Sequence, residues 1–194
     1  MTPLPELHTE RLLLHASDPA FAAALAAYHR RNREAHAAWS PPMPESLFTV
    51  DGQSKRLSAA AKAAAEGTQI GWLLSLRGDE HAVIGHARFS QISRGPFCNA
   101  MLGYSIDAAH EGRGLMREAL AAALADVFGP RVALHRVQAN ARPENTRSLQ
   151  LLARLGFVVE GLAKEYLFID GAWRDHVMTA LRHPNWPADQ APPR

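Results

Sequence analysis

The chain has 194 residues, a formal net charge of +2 and 47% apolar residues, which is typical of one globular domain with a substantial core. Its single cysteine, Cys98, excludes an internal disulfide and favours a reducing, cytoplasmic setting. No apolar run is as long as a membrane span, and no basic run marks a nucleic-acid arm. We therefore expect a cytoplasmic protein that binds neither membranes nor a specific nucleic-acid sequence.

The first 106 residues predict four strands and two helices. Ser17 or Asp18 is a suitable cap for a helix that continues to about residue 31. A second, alanine-rich helix is predicted at 53–66, after a proline-containing loop at 39–52. Apolar runs predict strands at 11–15, 68–76, 82–92 and 100–106.

The second half of the chain predicts a long helix, a strand, a short helix and a hairpin. The long helix spans 115–128, because apolar residues recur with helical spacing at 115, 116, 119, 120, 123, 124 and 127. Asn145 begins a short helix that Gly156 ends, so that Phe157 can fold back on its last turn. Asp170-Gly171 is a strong hairpin signal, and strands are predicted at 134–139, 158–169 and 173–181.

A glycine loop precedes the long helix and reads Glu111-Gly112-Arg113-Gly114-Leu115-Met116. Gly112 and Gly114 let the backbone curl, and the free N–H groups and dipole of a helix N-terminus favour a phosphate. A P-loop is excluded because Leu115-Met116 stands where Lys-Ser/Thr is needed. A dinucleotide fingerprint is excluded because Arg117 replaces its third glycine. The loop is therefore either a tight turn or a cradle for another phosphate ligand.

The order of strand, glycine loop, helix, strand, helix and hairpin resembles the GNAT superfamily of acyl-CoA-dependent N-acyltransferases. The glycine loop is similar to the family's Gln/Arg-x-x-Gly-x-Gly/Ala motif for the CoA pyrophosphate. Further features resemble the RimJ/RimL branch, and its RimJ members most closely. They are Asn145 with Ser148 and the segments 151–157, 160–161, 169–171 and 173–177. The resemblance implies an α/β (α+β) fold, with helices flanking a twisted, mixed and mostly antiparallel sheet whose central strands splay.

The resemblance also implies a set of cofactor-binding residues. Backbone N–H groups of the glycine loop would hold the pyrophosphate, and one of its arginines would meet the ribose phosphate unless both are only surface charge. The edge of the strand before the loop would pair with the pantetheine arm like an added strand. The amide of Asn145 would touch pantetheine, although Asn is also a preferred helix N-cap. The implied residues are Tyr104, Ser105, Ile106, Gly112, Arg113, Gly114, Leu115, Met116, Arg117 and Asn145.

The catalytic residues depart from the wider family pattern. Many members carry Tyr seven residues after the Asn145-type residue as the acid for the thiolate, where this chain has Leu152. Members of the RimI kind carry Glu five residues before it, where this chain has Asn140. Ser148 is therefore the expected catalytic residue, as a hydrogen-bond donor to the leaving thiolate. No base is assigned, because structural roles are more common for the candidate carboxylates Glu160, Glu165 and Asp175.

The expected reaction is acetyl transfer from the co-substrate acetyl-CoA to the N-terminal alanine of a small-subunit ribosomal protein. Two alternatives stay open: acetylation of a small-molecule amine or antibiotic, and a CoA-binding ribosome-assembly or regulatory protein with little catalysis. No residues, His135 and His176 included, have convincing metal-ligand spacing, so no metal is expected. We expect a monomer or homodimer, with one domain at 8–182 and a Pro-rich tail at 183–194.

Overall fold

An eight-stranded sheet organises the computed structural model, which describes residues 4–187 and 191–192. Across the sheet the strands follow the order β1-β2-β3-β4-β5-β6-β8-β7. Every neighbouring pair is antiparallel except β5 and β6, so the expected mixed, mostly antiparallel sheet is confirmed. The strands are β1 (Leu7–His8), β2 (Leu12–Ala16), β3 (Ile70–Leu76), β4 (Gly85–Ser93), β5 (Asn99–Ile106), β6 (Arg136–Ala141), β7 (Val158–Ile169) and β8 (Ala172–Arg182).

Helices cover both faces of the sheet. Adjacent residues Trp72 and Leu73 of β3 point to opposite faces, as the alternation of a strand requires. On one face Trp72 belongs to the same buried cluster as Leu120 and Leu152, and on the other Leu73 belongs to the same cluster as Leu57. Within the described residues the α-helices are α1 (Ala22–Arg31), α2 (Arg33–Ala37), α3 (Val50–Ala65), α4 (Leu115–Phe128) and α5 (Thr146–Arg154).

The sequence predicts α4 and its buried stripe correctly. The helix has the predicted bounds, and all seven apolar positions of the stripe are buried. Gly114, in a left-handed conformation, is the N-cap of the helix, and Gly129 is its C-cap. The stripe packs on the sheet in the main core and thereby fixes the glycine loop at the N-terminus of α4.

The two predicted chain reversals in the second half are also confirmed. Gly156 has φ +90°, and its N–H donates to Ala153 O while the Phe157 N–H donates to Leu152 O, both at 3.0 Å. These two bonds form a Schellman ending for α5. Asp170-Gly171 connects β7 to β8 with φ values of 52° and 72°, as a two-residue type I′ hairpin requires.

The predicted loop at 39–52 is wrong in its second half. Glu45–Phe48 forms a 3-10 turn, and α3 begins at Val50 because Thr49 Oγ1 accepts the Gly52 N–H at 3.1 Å. Gly52 is needed in this first turn, since a Cβ there would lie 1.9 Å from Ser46 O. The prolines at 41, 42 and 44 favour a loop and therefore do not predict that a helix begins so soon after them.

The sequence pattern does not predict α2, which Asn32 separates from α1. Asn32 is buried, its Nδ2 donates to Tyr28 O, and its Oδ1 accepts the Ala108 N–H. The predicted tail at 183–194 lies partly outside the described residues. Its first residue, His183, donates its N–H to His135 O at 2.8 Å.

Candidate active site

The two central strands part in the middle of the sheet. β5 and β6 pair only at Asn99–Arg136, Ala100–Val137 and Met101–Gln138. β5 then continues to Ile106 and β6 to Ala141 without further pairing, which leaves a gap between them. The splayed central strands expected from the resemblance are therefore present.

The backbone of β5 presents unpaired polar groups to this gap. Cys98 O accepts the N–H of Arg136 at 3.2 Å. The backbone N–H and C=O groups of the even-numbered residues along β5 therefore point toward β6. By the period of a strand, the N–H and C=O groups of Leu102 and Tyr104 point the same way, where no described strand pairs with them. A ligand with amide groups can add to this edge as a strand would.

The glycine loop lies at the end of this edge and has the shape expected of a cradle. Gly112 and Gly114 have φ values of 74° and 76°, in the left-handed region that favours glycine. Leu115 and Met116 occupy the first two positions of α4, so their backbone N–H groups have no partner within the helix and remain for a ligand, while their side chains are buried in the core.

A polar cluster supports the loop from behind. Arg11 donates through Nη1 to Arg113 O at 3.0 Å and through Nε to Glu118 Oε2 at 2.7 Å, while Thr9 Oγ1 donates to Glu118 Oε1 at 2.6 Å. Burial opposes the charged form of Glu118, but the hydrogen bonds from Thr9 and Arg11 lower its pKa. The side chains of Arg113 and Arg117 are exposed and form no ion pair within the described residues.

Two hydroxyl groups meet across the gap. Tyr104 OH on β5 and Ser148 Oγ on α5 are 2.6 Å apart. Asn145 caps α5, and its Oδ1 accepts the Ser148 N–H at 3.1 Å. Glu111 of the glycine loop forms an ion pair with Arg147, which ties the loop to the same helix. The structure therefore brings Tyr104, Asn145 and Ser148 together beside the loop.

Leu152 and Asn140, which replace the two acid–base residues of the wider family, make structural contacts. Leu152 is buried in the main core. Asn140, on the splayed part of β6, donates from Nδ2 to Tyr166 OH at 3.2 Å, and its buried Oδ1 has no hydrogen-bond partner among the described residues. Nothing in the sequence marks Tyr166 as a neighbour of Asn140, because Tyr166 lies on β7 and only the fold brings the two side chains together.

The side chain of Ser105 points away from the gap, to the face covered by α1. Its Oγ is 2.7 Å from Tyr28 OH and 2.9 Å from His86 Nε2. Burial and nearby cations lower the pKa of His86 to about 3, and burial, Arg56 and His36 lower that of His29 to about 4. Both histidines are therefore neutral near pH 7.

Two of the three candidate bases, Glu160 and Asp175, are paired. Glu160 binds both terminal nitrogens of Arg136 at 2.5 and 2.6 Å, and these hydrogen bonds lower its pKa. Asp175 accepts from Lys164 Nζ at 2.6 Å and from the Glu165 N–H at 3.0 Å, and both bonds lower its pKa. These contacts favour structural roles for Glu160 and Asp175.

The two histidines singled out from the sequence lie in packing positions. His176 is 3% exposed and donates from Nδ1 to Arg174 O at 3.0 Å, and the ring of His135 contacts Trp186 edge-on. Across the described residues no His, Cys, Asp and Glu side chains cluster so as to hold a metal ion. None of the helices described is long and apolar enough to cross a membrane.

Comparison with known families identifies the domain. Residues 11–158 match the acetyltransferase (GNAT) domain. The chain belongs to the GNAT acetyltransferase family. The matched segment of this chain includes the parted strands β5 and β6, the glycine loop, Asn145 and Ser148.

Individual GNAT relatives are similar along almost the whole chain. A [ribosomal protein uS5]-alanine N-acetyltransferase of Escherichia coli is 42% identical over 184 residues, which are 95% of this chain and 94% of that protein. The ribosomal-protein-S5-alanine acetyltransferase of Vibrio fischeri has a TM-score of 0.89 at 33% identity and covers 95% of this chain and 100% of its own. RimJ of Mycobacterium smegmatis, solved with CoA-disulfide, has a TM-score of 0.87 at 28% identity and covers 98% and 91% of the two chains.

The neutral histidines of this GNAT domain predict an acid-sensitive fold. A histidine whose pKa is lowered in the folded state binds its proton more readily when unfolded, so stability is lost as the pH falls from about 6.5 toward 3. We expect His86→Gln to show a smaller loss of unfolding free energy between pH 6.5 and 4 in urea titrations. His81→Gln, at an exposed position, is the control. An unchanged pH dependence in His86→Gln would contradict this assignment.

Proposed function

We propose that this chain transfers the acetyl group of acetyl-CoA to the N-terminal alanine of ribosomal protein uS5. The similarity along nearly the entire chain to the E. coli uS5-alanine N-acetyltransferase is the observation that carries this proposal. The CoA-disulfide bound to the M. smegmatis relative supports a CoA-type ligand for the same fold. We also propose that residues 8–182 form the single catalytic domain.

The glycine loop and the open edge of β5 divide the binding of acetyl-CoA between them. Backbone N–H groups from Gly112 to Arg117 bind the pyrophosphate at the positive end of α4. The pantetheine amides pair with the backbone of Tyr104 and with the N–H of Ile106, whose C=O is engaged by His36 Nε2 at 3.0 Å. Asn145 contributes its Nδ2, because its Oδ1 is engaged in the helix cap. Arg113 or Arg117 binds the ribose phosphate with its exposed guanidinium.

The chemical step needs a neutral amine, a thioester carbonyl and stabilisation of the leaving thiolate. Holding amine and thioester together in the gap lowers the barrier by several kcal/mol, on the order expected for proximity alone. The amine nitrogen attacks the carbonyl carbon, the C–S bond breaks, and its electron pair leaves on sulfur. The Ser148 hydroxyl donates a hydrogen bond to that sulfur, and the amine releases its proton to solvent.

A substitution in the loop tests the phosphate cradle. Gly114→Val should weaken acetyl-CoA binding about tenfold or more, because a β-branched residue is strained at its φ of 76° and distorts the backbone N–H groups. Gly78→Val is a matched control, since Gly78 also has a positive φ with no atom near its Cβ position. Isothermal titration calorimetry measures both. Equal affinities in the two variants would remove the cradle from the mechanism.

Removal of the Ser148 hydroxyl tests the stabilisation of the thiolate. In Ser148→Ala we expect turnover to fall about tenfold or more, because the lost hydrogen bond acts on charge that develops in the transition state. The dissociation constant of acetyl-CoA should change less than about twofold, since the ground state gains little from the same bond. Thiol-release kinetics and calorimetry give the two numbers. Turnover close to that of wild type would show that Ser148 is not catalytic.

The choice of acceptor tests the proposed function as a whole. An alanine-initiated uS5 peptide should react faster than its N-terminally blocked, lysine-containing counterpart. An N-terminal amine with a pKa near about 8 is partly neutral already, whereas a lysine near about 10.4 is not. The rate should rise with pH and level off near the pKa of the substrate amine. Mass spectrometry locates the acetyl group.

The same assay separates the alternatives. A panel of small amines and antibiotics replaces the peptide in parallel reactions. Faster acetylation of a small amine or of the blocked peptide would refute the proposed acceptor. Tight CoA binding without turnover on any amine would indicate a CoA-binding protein instead of an enzyme.

A further inference from the structure

The hydroxyl groups of Tyr104 and Ser148 carry two donor hydrogens between them, but the hydrogen bond that joins them needs only one. Each hydroxyl has one donor hydrogen, and a single hydrogen bond joins the two oxygens at 2.6 Å. One hydroxyl therefore donates to the other, and the remaining hydrogen is available to a third group. Both side chains are partly exposed at the gap, so a ligand can be that group.

The chemistry of the two hydroxyls decides the direction of donation. A phenol is a stronger acid than an aliphatic alcohol, so Tyr104 is the better donor and the Ser148 oxygen the better acceptor. Burial raises the pKa of Tyr104 to about 12, which keeps the phenol protonated at working pH. In this arrangement the hydrogen of Ser148 is the one left over.

We propose that Tyr104 is a positioning residue that donates to Ser148 Oγ and so directs the Ser148 hydrogen toward the sulfur of the leaving thiolate. This inference rests on the proposed function. The step stays balanced, because the thiolate leaves with the electron pair of the C–S bond while both hydroxyls keep their protons. Donation from Tyr104 also makes Ser148 a stronger donor, since hydrogen bonds in a chain polarise one another.

The fold explains why the phenol comes from a strand. Position 152 on α5, where many members of the superfamily carry tyrosine, faces the core in this chain, and Leu152 is 1% exposed. Ser148 lies one turn earlier on the same side of the helix, and its short side chain reaches Tyr104 at the gap. A tyrosine on β5 reaches Ser148 from the other side, and its ring packs against the main core, which fixes the direction of its hydroxyl.

A double-mutant cycle tests this inference. Tyr104→Phe keeps the ring and removes only the hydroxyl. With Ser148 present we expect kcat to fall about three- to tenfold and the KM for acetyl-CoA to change less than about twofold, because the lost bond acts on the chemical step. In the Ser148→Ala background the same substitution should change kcat less than about twofold, because its target is gone.

Tyr28→Phe is the matched control for the loss of a buried phenol. Tyr28 OH binds Ser105 Oγ on the opposite face of β5, so its effect should be the same with and without Ser148. Thermal melting of all variants accounts for lost stability. A Tyr104→Phe effect that is absent, or equal in both backgrounds, overturns the inference while the proposed function stands. If wild-type protein does not acetylate the uS5 peptide, the proposed function fails and the inference fails with it.

Discussion

The parting of β5 and β6 is the constraint on which the rest of the site depends. Two adjacent strands in the middle of a sheet normally satisfy each other's backbone groups, and buried groups left unpaired are costly. Here the pairing stops after Met101 and Gln138, so β5 keeps an open edge inside the molecule. The chain leaves β5 through the glycine loop and leaves β6 toward Asn145. Both helix N-termini therefore lie beside the same gap, as the Glu111–Arg147 ion pair shows.

Charge near the glycine loop is arranged so that the loop can bind an anion. Glu118 lies in the first turn of α4, where a free carboxylate would compete with a phosphate for the helix dipole. Arg11 and Thr9 engage both oxygens of this carboxylate, and Arg11 also holds the carbonyl of Arg113. The carboxylate is thus neutralised from the N-terminal part of the chain, and the exposed guanidinium groups of the loop remain available to the ligand.

Local patterns in the sequence are sufficient for the elements that frame the site. The apolar stripe predicts α4, and Asn145 and Gly156 predict both ends of α5, because each signal acts within a few residues. Contacts between distant segments are not visible in this way. The meeting of Tyr104 with Ser148 depends on the direction of a strand edge relative to a helix 44 residues later. The support from Arg11 depends on a segment more than 100 residues before Glu118.

Ser105 shows that a resemblance along the sequence also does not reveal which way each side chain points. The resemblance places Tyr104, Ser105 and Ile106 together, as one segment of the binding edge. A strand alternates the direction of successive side chains, and the backbone of alternate residues faces alternate neighbours. Ser105 therefore pairs with β4 through its backbone and with Tyr28 and His86 through its hydroxyl. A motif of three consecutive residues cannot all face one ligand when it lies on a strand.

The distribution of titratable groups gives the acceptor amine a decisive part in the chemistry. Glu160 and Asp175 are held as carboxylates by cationic partners, and His86 and His29 are too weakly basic to take a proton from an ammonium group near pH 7. A low pKa of the conjugate acid makes a group a poor base. These four groups are therefore poorly suited to take a proton from the acceptor amine. An acceptor whose own pKa is low needs the least help from the protein, which agrees with the proposed N-terminal amine.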